Sequence, residues 1–113
     1  MVTPSAGAVV LVPFPFSDLS QSKLRPAVML ADAGKGDWIL CQITSNAYSD
    51  PRAIELTSNS FTSGSLRRVS YARPAKLFTA NRSLTVAQVG VLTEDALNLI
   101  IEAVISLLRD SIK

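Results

Sequence analysis

The chain has 113 residues, a formal net charge of +2, no histidine and a single cysteine, Cys41. The two shortages exclude histidine acid/base catalysis, Ser-His-Asp and Cys-His nucleophile systems, most zinc enzymes and any intrachain disulfide. The length suits one domain with one modest core and leaves no room for a second, and a pI near 9.0 does not by itself mark a nucleic-acid binder.

The segment Met1 to Ala8 lacks the basic stretch and apolar core of a secretory signal, so a cytoplasmic protein is expected. Gly7 to Pro13 is a β-branched apolar run opened by Gly and closed by Pro, which predicts a buried strand. Phe14 to Lys23 is rich in Pro, Ser and Asp and predicts a loop of ten residues, a length usually reserved for function. Arg25 to Ala31 resumes the strand pattern, the glycines at 34 and 36 reverse the chain, and Trp38 to Ile43 returns beside it. After a turn at Ser49-Asp50-Pro51, Ala53 to Thr57 predicts a short strand, and Ser58 to Ser65 a polar connection. Val69 to Phe78 is a further strand in which Pro74 implies a break or bulge and denies it a central, unbroken place.

Thr93 is a suitable N-cap, Glu94 and Asp95 suit a helix N-terminus, and Arg109 and Lys113 suit the opposite end, so a helix is expected from about Glu94 to Asp110. Its apolar run, Ala96 to Leu108, is broken by Asn98, Glu102 and Ser106 and falls short of the ~20 residues that span a bilayer. Leu97, Ile101, Val104 and Leu108 are expected to face the core. Leu99, Ile100, Ile105 and Leu107 widen the apolar arc beyond one sheet's cover, which calls for deep burial or for self-association as a homodimer. Short strands plus one terminal helix describe a mainly β fold, a small, strongly curved antiparallel barrel or sandwich.

Between Glu55 and Glu94 there is no acidic residue, whereas Arg67, Arg68, Arg73, Lys76 and Arg82 all fall there. This stretch either attracts phosphate, with Phe61, Tyr71 and Phe78 stacking on unpaired bases, or is a solvated basic face above core aromatics. If the reversal near Gly34 pairs its flanking strands antiparallel, Arg25 and Thr44 share one rim. A fixed guanidinium there can grip a phosphate bidentately, and a hydroxyl can orient an attacking or leaving group. In isolation, the same two residues also serve as surface filler and strand end.

Gly7 to Leu19, followed by Lys23-Leu24-Arg25-Pro26-Ala27-Val28-Met29-Leu30, closely resembles the opening of the MazF/PemK toxins of bacterial toxin-antitoxin pairs. The resemblance extends to Cys41–Asn46, to Val89-Gly90-Val91-Leu92 and to the final helix. It implies an SH3-like small barrel of the CcdB/PemK type and a homodimer. The implied activity is sequence-specific cleavage of single-stranded mRNA by 2′-hydroxyl attack, with no metal or cofactor. The implied partners are single-stranded RNA and a cognate antitoxin, with operator DNA reached only through that antitoxin and no membrane.

Residue by residue, the resemblance assigns the catalytic pair to Arg25 and Thr44. Arg67, Arg73 and Lys76 are candidate phosphate contacts, Ser45 and Asn46 candidate base readers, Ser17 and Lys23 further candidate substrate contacts, and Phe14 and Phe16 a pair of which one ring is expected to be buried and the other to face RNA. The chain departs from the pattern at Ala8, where many members are acidic, in having no loop His, and in having no acidic residue in the strand that holds Arg73. Two rivals remain at this stage, a gyrase-poisoning toxin like the CcdB relatives and a barrel that binds RNA or a peptide without cutting.

Overall fold

The computed structural model describes residues 4–15 and 22–112. Seven strands form one curled antiparallel sheet: β1 (Ala8–Pro15), β2 (Ser22–Gly34), β3 (Asp37–Thr44), β4 (Ile54–Leu56), β5 (Phe61–Gly64), β6 (Ser70–Asn81) and β7 (Ala87–Leu92), in the order β4-β6-β3-β2-β1-β7-β5. The one α-helix among the described residues, α1 (Glu94–Asp110), lies against β6 and β4. The mainly β half-barrel with one C-terminal helix is the architecture the strand pattern implies. None of its helices is long and apolar enough to cross a membrane, among the described residues.

Alternating strand residues feed two cores. Val9, Val28, Cys41, Ile43, Leu56 and Ala72 pack toward α1, where Ala96 and Ile100 meet them. Val10, Val12, Ala27, Met29, Trp38 and Leu40 fill the opposite face. The helix is capped as expected, the Thr93 hydroxyl accepting from the Ala96 amide at 3.1 Å. The inward stripe differs from expectation: Ala96 and Ile100 are buried, whereas Leu108 is 60% exposed. A helix that is apolar nearly all round does not specify its inner stripe, and the sheet chooses it.

Two corrections concern the strands. The first strand does not stop at Pro13: β1 runs on to Pro15 and β2 already starts at Ser22, pairing Pro13 with Leu24 and Pro15 with Ser22. The Leu11 carbonyl accepts from the Val86 amide at 2.8 Å, so odd positions of β1 turn toward β7. Beyond Ala87, the last β7 partner, Pro13 and Pro15 therefore sacrifice no ladder hydrogen bond. The second correction is that the polar stretch after Thr57 contains a 3₁₀ turn (Ser58–Ser60) and β5. Gly64 makes this possible: at φ +66°, a Cβ would lie 2.1 Å from the Val89 carbonyl oxygen of β7.

Pro74 acts as anticipated. The β3–β6 register shifts from Cys41 opposite Leu77 to Ile43 opposite Ala72, so the bulge falls on the stretch around Pro74. β4 pairs only with Ser70 to Ala72, leaving the Pro74 stretch without a neighbour on that side.

Candidate active site

The site begins with a missing amide. Because Leu11 turns toward β7, its partner Pro26 turns toward β3, where it has no N–H to donate. The β2–β3 ladder accordingly ends at Ala27 opposite Gln42. Continued by two residues past its last pair, the same register leads to Arg25 on β2 and Thr44 on β3, at the parting end of the two strands. Opposed residues of an antiparallel pair project from the same face. Arg25 also pairs with Val12, and Thr44 with Tyr71, which in turn pairs with Glu55. Val12, Arg25, Thr44, Tyr71 and Glu55 thus form one row across five strands, on the face away from α1.

Arg25 is half-buried with its Nε enclosed, and Thr44 is only 7% exposed. The Thr44 Oγ1 accepts from the Asn46 amide at 3.2 Å, which fixes the oxygen and leaves the hydroxyl proton to donate. A guanidinium and an oriented hydroxyl on one rim are suited to holding a phosphodiester and stabilising charge that builds on its oxygens.

The loop from Thr44 to β4 is tied internally. Asn46 Oδ1 accepts from the Tyr48 amide at 2.9 Å, and the Ala47 carbonyl accepts from the Asp50 amide at 2.9 Å. Tyr48 and Ser49 adopt left-handed backbone, φ 53° and 57°. Such conformations cost non-glycine residues about 1 kcal/mol or more each and persist where surroundings impose them. Asp50 supplies the restraint: its Oδ2 pairs with Arg73 Nε at 3.2 Å, and the Arg73 guanidinium lies 5.4 Å from the centre of the Tyr48 ring. The Arg52 amide, aided by Arg73, holds the Asp50 carboxyl below its ordinary pKa, against the opposing effect of burial. Cys41 donates to the Arg73 carbonyl at 3.1 Å, and burial pushes its thiol up to about 12, so it is no nucleophile.

The strand that holds Arg73 has no acidic residue, as its sequence shows, yet Arg73 has an acidic partner. The acid comes from Asp50, 23 residues earlier, rather than from Arg73's own strand, because the β3–β4 loop folds back over β6. Of the residues singled out in the sequence, Arg25, Thr44, Ser45 and Asn46 gather at one rim, with Lys23 exposed two positions before Arg25. Arg73 joins them through Asp50 and Tyr48, with its side chain 20% exposed. Arg67 lines a separate cavity of about 240 Å³ with Leu56, Phe61 and Leu66, and Lys76 is exposed in the bulged stretch of β6. Phe61 and Phe78 pack against the two cores rather than offering stacking faces. Phe14 is described only through its backbone in β1, and Phe16 and Ser17 lie outside the described residues.

Tyr71, one of the aromatics expected to stack, is half-buried in this row; Tyr48, Asp50 and the row partner Glu55 were not anticipated, and only the Asp-Pro turn gave any hint of Asp50. A larger cavity, about 620 Å³, opens at the other end of β3 beside Trp38, Lys35 and Arg82. Six residues along a strand separate Trp38 from Thr44, roughly 20 Å, so that cavity does not belong to this rim.

Comparison with known proteins follows the same outline. No curated protein matches the chain. Among solved structures, MazE-MazF from Deinococcus radiodurans aligns with a TM-score of 0.74 at 24% identity, covering 96% of this chain and 97% of that one. MazF alone from the same organism gives 0.72 at 25%, covering 96% and 98%. An endoribonuclease in complex with its cognate antitoxin, from a mycobacterial species, gives 0.68 at 17%, covering 96% and 95%. Residues 5–108 match the family model described as PemK-like, MazF-like toxin of type II toxin-antitoxin system, and the chain belongs to that family.

Proposed function

We propose that this toxin is an endoribonuclease that cuts single-stranded RNA without a metal ion, using Arg25 and Thr44. The observation that supports the reading is the β2–β3 register, which ends with Ala27 opposite Gln42 and, continued by two residues on each strand, leads to Arg25 and Thr44 at the open strand end. In the proposed reaction a ribose 2′-oxygen attacks the adjacent phosphorus and the bond to the 5′-oxygen breaks. The products are a 2′,3′-cyclic phosphate and a 5′-hydroxyl, the proton lost by one oxygen balancing that gained by the other. Arg25 stabilises the extra negative charge on the phosphorus oxygens, and Thr44 donates its proton to one of them and orients the group. Deoxyribose, lacking the nucleophile, is not cut.

The MazE-MazF and endoribonuclease-antitoxin neighbours support a cognate antitoxin as the partner, with operator DNA engaged only through it. The same reading makes the protein a cytoplasmic homodimer acting on mRNA. The test is a transcript incubated with purified protein in excess EDTA, its cut ends mapped. Defined cuts leaving cyclic phosphate are expected, with Arg25→Ala slower by about a hundred- to a thousandfold. An Arg25→Ala protein that cuts at the parental rate overturns the assignment.

A further inference from the structure

Tyr48 is 64% exposed, the only exposed aromatic among the side chains the structure describes. It is also held. Its amide is bound by Asn46 Oδ1, whose own amide binds Thr44 Oγ1, so only two hydrogen bonds separate the ring's backbone from the candidate catalytic hydroxyl. Behind the ring stands the Arg73 guanidinium, itself fixed by Asp50.

We propose, on the reading that this chain binds single-stranded RNA, that Tyr48 is the stacking platform for a base flanking the cut phosphodiester. The Arg73–Asp50 ion pair is the clasp that presents it. A rigid ring with a cation behind it loses little freedom when a base settles on its open side, and every base has a face to offer. The rest of the loop favours a nucleotide over a protein partner. Ser45, Asn46, Ser49 and Arg52 surround Tyr48 with exposed polar groups, and no second large apolar side chain occurs between Thr44 and Ala53 to build a protein-binding hot spot. The neighbouring Ser45 and Asn46 bring hydrogen-bonding side chains to the edge of a base stacked there.

The experiment uses a single-stranded RNA oligonucleotide spanning a mapped cut, with deoxyribose at the cut so that it binds intact and 2-aminopurine as the flanking base. Stacking quenches the probe. Tyr48→Ala is expected to weaken binding about ten- to a hundredfold and to lose the quenching, while Tyr48→Phe and Tyr48→Trp keep both. Tyr48→Leu, which retains bulk without a ring, carries the same expectation as Tyr48→Ala, and Trp38 emission verifies that each variant is folded. Asp50→Asn, which loosens the clasp, is expected to fall between.

If the parent cuts RNA while Tyr48→Ala or Tyr48→Leu binds and quenches as the parent does, the platform is wrong and the nuclease reading stands. If these variants lose self-association but not RNA affinity, Tyr48 serves a protein contact and the platform is again wrong. A parent that neither binds nor cuts RNA overturns both.

Discussion

At Asp50 a single carboxylate ties together the loop that leaves Thr44, the Arg73 guanidinium and the left-handed turn at Tyr48. Its pKa is lowered in the folded chain, first by the Arg52 amide and then by Arg73. A carboxylate whose folded pKa lies below the unfolded value of about 3.9 contributes stability that is complete above that value and is lost as pH falls through the folded one. Asp50→Asn removes the charge at every pH. The urea midpoint of the parent should therefore exceed that of Asp50→Asn near neutral pH, and the two should converge in acid below about pH 4. A gap that stays constant across this range would contradict the ion pair as the source. The Arg25 and Thr44 assignments were legible from the Arg-Pro and Ile-Thr-Ser-Asn stretches, because strand pairing alone brings them together. The Asp50–Arg73 pair was not, because its partners lie on a loop and a bulge, and neither has a register that sequence periodicity can fix.

Among the elements, α1 shows what periodicity can and cannot decide. Its bounds, Thr93 cap and terminal charges follow from local chemistry, and the element begins and ends where these place it. Its inner stripe does not follow, since apolar side chains occur on nearly every side. Ile100 is fully buried and Leu99, one position away, is 59% exposed. Ile100→Ala should cost about 2–5 kcal/mol in denaturant unfolding and Leu99→Ala within about 0.5 kcal/mol of nothing. Equal losses would place the helix at a different rotation.

The extended β1–β2 hairpin went unread for a related reason. Pro13 and Pro15 look like strand breakers until the neighbouring strand is known to end before them. β5 escaped because Phe61 is the only large apolar residue in it, and its place is set by contact with β7 rather than by its own pattern.

For the molecule as a whole, the curled sheet leaves an apolar groove of about 280 Å³ between sheet and helix, lined by Leu30, Ile39, Leu77, Ile101, Ile105 and Leu108 among others. Ile105 of the surplus apolar arc lines it together with Ile101, Val104 and Leu108, three residues expected from the sequence to face the core, and in the homodimer reading a second copy covers it. Ile105→Glu should then shift sedimentation from dimer to monomer, and a parent that already sediments as a monomer would contradict that reading. The central claim concerns the rim at the other side of the sheet, where Arg25 and Thr44 act on one phosphodiester as a unit. Single-turnover cleavage of one mapped RNA site by the parent, Arg25→Ala, Thr44→Val and the double variant tests it most directly. Residues that act together lose their effects non-additively, so the double variant should be scarcely slower than the worse single one. Full multiplication of two independent losses, or parental cleavage by either single variant, would contradict the account.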